Sequence, residues 1–177
     1  TLRWRLLLKP VADVSTARLY PVVIIGLMSN NVTPARIGEL VRAYLVGERE
    51  RISKTTALGT IAVDRVYDGL TLVAILGITT VFTGADSTVK GLGIVTAVVM
   101  LAGVVVLALL AMFPVQARMT LVRLLHVLPQ RFEARVEGLL DAFLSGLVVI
   151  RSPTTLVLAG LCSVTSWLIE AVMYYMV

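Results

Sequence analysis

At 177 residues, with 58% hydrophobic side chains and only 15% charged, the chain has too little polar surface for a soluble domain of its size. Mean hydropathy is +0.91, and the composition selects an integral membrane protein. The net charge of +5 does not point to nucleic acid, because no basic run is interleaved with aromatics. Lysine and arginine also collect in cytoplasmic loops and beside anionic headgroups.

Residues 1–18 carry Arg3, Arg5, Lys9 and Arg18, with Trp4 and Leu6 to Leu8 between them, and read as a segment at the membrane surface. No signal peptide is recognisable, since the apolar core and cleavage site are inadequate. Residues 19–28 are apolar but about half the roughly 20 residues a spanning helix needs. Asn30, Asn31 and Pro34 then interrupt. A new helix is expected from Thr33, as N-cap with Pro34 at the first position, and runs to about Gly47. A charged connection follows.

Residues 57–83 and 91–113 are long enough to span, with a short polar loop between them and Pro114 ending the second. In 115–151, Phe132, Val136, Leu139, Leu140, Phe143, Leu144 and Leu147 recur at helical spacing. Arg131, Glu133, Arg135, Glu137 and Asp141 take the other face. That pattern is an amphipathic helix at the membrane surface or against the bundle. Residues 155–177 form a third span containing Trp167 and Glu170, with Tyr174 and Tyr175 placed for an outer aromatic belt. The chain opens on Thr1 and closes inside an apolar run, so it is expected to be a piece of a larger bundle.

Loop charge sets the orientation. Four basic residues lie in 1–18, four in 42–54, one in 84–90 and five in 115–151. The positive-inside rule puts 84–90 outside and the other three in the cytoplasm. The segment between two cytoplasmic loops must then enter and leave on one side, so 19–46 is expected to form a re-entrant hairpin. Such backbone survives at membrane depth only when buried in protein or lining a wet cavity. The fold expected is therefore all-α: about three spanning helices, a re-entrant helical hairpin and a cytoplasmic amphipathic helix.

Two polar clusters cost free energy in such a chain. In the first, Arg36, Glu39 and Arg42 are spaced i, i+3, i+6 along one helical strip, so both arginines can pair with the one glutamate. One positive charge is left over. With Asn30, Asn31, Gly38 and the positive end of the helix, the strip suits an anion such as a lipid phosphate. The bland alternative is a helix start with snorkelling arginines. In the second cluster, Thr56, Thr60, Asp64 and Asp68 recur every four residues, Thr71 continues the stripe and Arg65 is adjacent. An ionisable residue inside the membrane costs on the order of 3 kcal/mol. Arg65 is expected to pair with Asp68, leaving Asp64 to face Arg36 or Arg42. The alternative is a purely structural ion-pair network. Cys162 lies in an apolar run and reads as a packing residue. His126 stands alone and reads as interfacial, so no metal site, cofactor or catalytic constellation is expected.

These residues also carry a resemblance. "NNVTPARIGELVRAYLV" followed by "SKTTALGTIAVDRVYDGLTL" resembles the flippase-like family that includes the membrane region of lysylphosphatidylglycerol synthase. The matching positions are Asn31, Pro34, Arg36, Gly38, Glu39 and Arg42, then Ser53, Asp64, Arg65 and Asp68. Many members have Glu where this chain has Asp64. The resemblance is strong over about 20–80 and implies a multi-pass plasma-membrane protein that binds and translocates a phospholipid or isoprenoid-linked lipid. Asn30, Asn31, Arg36 and Arg42 would bind phosphate, and Glu39, Asp64, Arg65 and Asp68 would form the polar network. Membrane lipids are the partners implied, and homo-oligomers are compatible with it. The synthase's soluble transferase domain is absent from these residues. The alternatives are an enzyme acting on a lipid headgroup and a non-transporting scaffold.

Overall fold

The computed structural model describes residues 1–33, 37–83, 86–125 and 130–176, and not the side chains of 81–83, 121–125 and 130–135. Arg36 and His126 lie outside the described residues, as do the side chains of Arg131, Phe132, Glu133 and Arg135. The described chain is all α-helical, without strands. Its helices are α1 (Leu2–Leu8), α2 (Thr16–Val32), α3 (Gly38–Glu50), α4 (Lys54–Thr83), α5 (Ser87–Met112), α6 (Pro114–Leu125), α7 (Gln130–Gly146) and α8 (Pro153–Met176). A 3-10 turn, Leu147–Arg151, precedes α8.

α5 and α8 are each long and apolar enough to cross a membrane. Both keep large aliphatic side chains exposed along their length, among them Leu92, Val95, Val99, Val106, Leu161, Leu168 and Val172. In water such a surface would be unstable; in lipid it is matched. α4 is longer still. Its 30 residues extend about 45 Å at 1.5 Å per residue. α5 stops before Pro114, which lacks the N–H to continue it, and the same proline opens α6.

Three expectations need correcting. First, residues 1–18 are more than a surface segment. Trp4, Leu7 and Leu8 are almost fully buried, and α1 lies between the bundle's two apolar clusters. Trp4 and Leu8 pack with Leu19, Val22, Ala43, Val46, Ala57 and Ile61, while Leu7 packs with Val63, Leu144, Leu147 and Ala159. The i, i+3, i+4 spacing of these three residues is what lets one short helix serve both clusters.

Second, the asparagines do not break the helix. α2 continues through Asn30 and Asn31 to Val32, and Thr33 is its C-cap, not the N-cap of the next helix. The Thr33 hydroxyl donates back to the Ser29 carbonyl at 2.6 Å, while the described part of α3 begins at Gly38. Asn30 spends its competing hydrogen bond across the turn instead of on its own backbone: its Oδ1 accepts the Gly38 N–H at 2.7 Å. Third, 115–151 holds more than one helix: α6 and α7 divide it and Leu147 falls in the 3-10 turn, with Leu140, Phe143 and Leu144 packed and Leu139 exposed.

Two close helix crossings position the site. A Cβ on Gly38 would lie 2.1 Å from the Gly26 carbonyl oxygen, so α2 and α3 meet backbone to backbone. A Cβ on Gly146 would lie 2.2 Å from the Thr56 carbonyl oxygen, and one on Gly59 would lie 2.5 Å from that of Phe143. α4 and α7 therefore cross in the same manner, the small-residue packing that membrane helices favour. The hydroxyls of Thr56 and Ser145 close this second crossing at 3.0 Å.

Contacts fix the relative directions. α3 runs against α4, with Glu39 beside Arg65, Arg42 beside Asp64 and Gly47 beside Lys54. The open ends of α2 and α3 are joined by Arg18 and Glu50 at 3.5 Å. The described parts of α2 and α3 thus begin and end level with the start of α4, and Glu39, near the start of α3, lies beside Arg65 in the middle of that helix. α8 runs parallel to α4: the Tyr67 hydroxyl donates to the Leu156 carbonyl at 2.7 Å, and Thr71 and Ser163 share a hydrogen bond at 2.8 Å.

A buried ion network as the candidate functional site

The polar stripe of α4 faces four other helices, α1, α3, α7 and α8. Asp64 receives two guanidinium groups. Arg3 Nε lies 2.7 Å from its Oδ1, and Arg42 Nη2 lies 3.4 Å from its Oδ2. Arg3 also reaches Asp68 Oδ1 at 2.7 Å and donates to Ser163 Oγ at 2.8 Å. One side chain from α1 thereby ties α4 to α8 with three donors in the planar fork that only arginine supplies. Burial lowers the pKa of Arg3, but Asp64 and Asp68 carry it above the ordinary value.

Arg65 faces the other way along α4. It pairs with Asp68 at i+3, 3.2 Å, and with Glu39 of α3. The network runs from a closed to an open side. The side chains of Asp64 and Arg42 are 6% and 7% exposed, those of Asp68 and Glu39 25% and 26%, and that of Arg65 47%. The threonines of the stripe are used in the same way. Thr60 accepts from the Trp4 indole N–H at 3.1 Å, and Thr71 meets Ser163.

Arg42 sits where these parts meet. Its stem passes over Gly26, where a Cβ would lie 2.4 Å from Cγ. Its guanidinium stacks 4.3 Å from the centroid of the Trp4 ring, a geometry that favours a desolvated cation. Its Nε is buried without a hydrogen-bond partner, the one such side-chain atom among the described residues. An unmet donor of this kind costs on the order of 1–3 kcal/mol.

The acids and cations are therefore brought together, but in a different pairing from the Arg36–Glu39–Arg42 strip. Arg42 pairs with Asp64, and the ion-pair partner of Glu39 among the described residues is Arg65. Arg3, Arg42 and Arg65 balance Glu39, Asp64 and Asp68, so the surplus positive charge is absent from the described cluster. Asn30 is committed to the α3 backbone, and Asn31 is exposed. Arg3 is the residue sequence reasoning missed. Its signal was the arithmetic of the stripe: two aspartates inside a helix need more cation than Arg65 supplies, and Arg3 sits beside an aromatic suited to burial.

Outside the network, a cleft of about 310 Å³ is lined by Val115, Arg118, Asp141, Leu144 and Arg151. Its arginines are occupied structurally. Arg118 pairs with Glu137 and Asp141, and Arg151 donates twice to the Ala111 carbonyl at the end of α5. Among the described residues no three His, Cys, Asp or Glu side chains gather as a metal ion would need.

Parts of the chain are similar to known membrane proteins. A UPF0104 membrane protein of Methanothermobacter thermautotrophicus is 37% identical over 90 residues, 46% of this chain and 27% of that protein. A UPF0104 membrane protein of Methanocaldococcus jannaschii is 35% identical over 69 residues, 37% of this chain and 20% of the relative. The glycosyltransferase AglD of Haloferax volcanii is 39% identical over 56 residues, 32% of this chain and 9% of its own length. The chain thus spans about a quarter or less of the curated relatives it matches. No solved structure matches. The family model of the lysylphosphatidylglycerol synthase TM region matches residues 1–177, and the chain is an integral membrane protein belonging to that family.

Proposed function

We propose that the protein binds the phosphate-bearing headgroup of a phospholipid or isoprenoid-linked lipid and moves it across the plasma membrane along the polar half of α4. The observation that carries this reading is Arg42: a buried guanidinium with one donor unmet, inside a graded chain of ion pairs that opens at Arg65. Guanidinium groups hold phosphate and carboxylate by the same bidentate geometry, so a phosphate arriving at Arg65 competes with Glu39 and Asp68. The displaced acids stay within reach to reclaim the cation once the headgroup moves on. Arg36, outside the described residues, would add the surplus charge, and Asn30 and Asn31 are kept as candidate phosphate contacts on the sequence pattern alone. The family description supports a lipid, since it names a lipid-modifying synthase.

The described geometry supports a re-entrant α2–α3, because α3 starts beside mid-α4 at Glu39 and Arg65 and returns to the start of α4 at Gly47 and Lys54. Loop charge then places 42–54 and 115–151 in the cytoplasm, with α4, α5 and α8 crossing. The test is lipid transfer by the full-length protein in vesicles carrying a fluorescent phospholipid, with quenching of the outer leaflet as readout. Arg65 is half-exposed, so Arg65→Gln is expected to fold and to slow transfer at least tenfold. Transfer at the unaltered rate would remove Arg65 from the route.

The charge balance of the described cluster favours a second reading, a scaffold in which the network only fixes helices. Under that reading, removing paired charges together leaves cell function intact.

A further inference from the structure

The face of α8 that meets the network extends beyond it. Ser163, Trp167 and Glu170 recur at i, i+4 and i+7 and so share one side of the helix. Ser163 is buried between Arg3 and Thr71. Trp167 and Glu170 are half-buried, whereas Leu168, Ile169, Val172 and Met173 around them are exposed. Glu170 has no hydrogen bond or ion pair among the described residues, and it lies within a helix apolar enough to span a membrane. Past Thr71, α4 turns exposed Leu72, Ile75 and Ile78 outward.

An ionisable side chain at membrane depth faces protein or a wet cavity and is matched by a partner. We propose that the Trp167–Glu170 face of α8 is covered, in the full-length protein, by a further membrane segment of the same chain lying outside residues 1–177, which presents a lysine or arginine to Glu170. Charge complementarity selects a basic partner, because everything else on this face is apolar or small. Length supplies the source: the matched UPF0104 proteins share only 27% and 20% of their own length with this chain. The segment would continue, along α8, the stripe that Arg3 occupies lower down. The inference is independent of lipid transport.

The test uses full-length protein in native membranes, with the photo-crosslinker benzoylphenylalanine in place of Trp167 and, as an outward control, of Ile169. The expected result is an intramolecular crosslink from position 167 to a peptide outside 1–177 that contains Lys or Arg, with position 169 giving lipid adducts. Glu170→Lys should then lower the yield of folded protein at least tenfold, and reversing the crosslinked basic residue to Glu in the same molecule should restore it. Lipid adducts alone at 167, a crosslink to a second copy, a captured peptide without a basic residue, or a charge swap that restores nothing would each overturn the proposal.

Discussion

The two halves of α4 use the same residue types for opposite ends. From Thr56 to Thr71, the side chains of Thr56, Thr60, Asp64 and Thr71 are buried and each bonds to another helix, while Thr60 and Thr71 also donate to the Ala57 and Tyr67 carbonyls of α4. In the second half the hydroxyls of Thr79 and Thr80 turn back onto the carbonyls of Ile75 and Leu76, one turn earlier in the same helix. Thr96 of α5 and Thr165 of α8 do likewise. A threonine can satisfy itself inside a membrane helix, so its presence alone says little. What distinguishes the Thr56–Thr71 stretch is that its polar groups also bond to neighbouring helices. That stretch is a junction, and past it α4 leaves Leu72, Ile75 and Ile78 exposed.

Substitutions should break this contrast unequally. The largest effect belongs to Asp64→Ala, which strands Arg42 as a buried cation and takes one of the two acids from Arg3. Breaking a buried pair from one side costs about 3–5 kcal/mol, read as a fall in the thermal unfolding midpoint of the full-length protein in detergent. Gly146→Val comes next. Its Cβ would fall on the Thr56 carbonyl, and forcing extra atoms into a close crossing costs roughly 1–3 kcal/mol. Unfolding of the same preparation reports it, and an unchanged midpoint would mean that the α4–α7 crossing is loose. Trp4→Phe keeps an aromatic ring but loses the hydrogen bond to Thr60, at about 1 kcal/mol, besides some of the buried indole's packing, measurable in the same melt. The smallest effect is expected at Thr80→Val, within about 0.5 kcal/mol, because its hydroxyl bonds only to its own helix. A loss at Thr80 as large as that at Trp4 would erase the distinction between the halves.

Much of the helical plan was legible because its signals are local. Long apolar runs bounded by Pro114 and by charged loops located α4, α5 and α8, and the four-residue spacing of Thr56, Thr60, Asp64 and Asp68 marked the stripe that meets its neighbours. The Arg65–Asp68 pair followed from helical spacing, and the need of Asp64 for a cation left Arg36 or Arg42 as partner, of which the fold supplies Arg42. What could not be read was long-range. Arg3 looked interfacial because a short segment of arginines and leucines beside tryptophan has the composition of a surface helix. Only the fold shows it slotted between two clusters. Asn30 looked like a helix breaker because its capping role depends on where α3 returns. The backbone contacts at Gly26–Gly38 and Gly59–Gly146 likewise appear only when two distant glycines are brought together.

The central claim is that the buried Arg42–Asp64 pair belongs to the route of a lipid phosphate and is more than a brace. The most direct test is lipid transfer by the full-length double variant Arg42→Gln with Asp64→Asn, which removes both charges together and spares the fold an unpaired buried ion. If the account holds, the double variant stays folded by size exclusion and thermal unfolding while transfer drops to that of protein-free vesicles. Transfer at the unaltered rate by the folded double variant would contradict it and leave the network a scaffold.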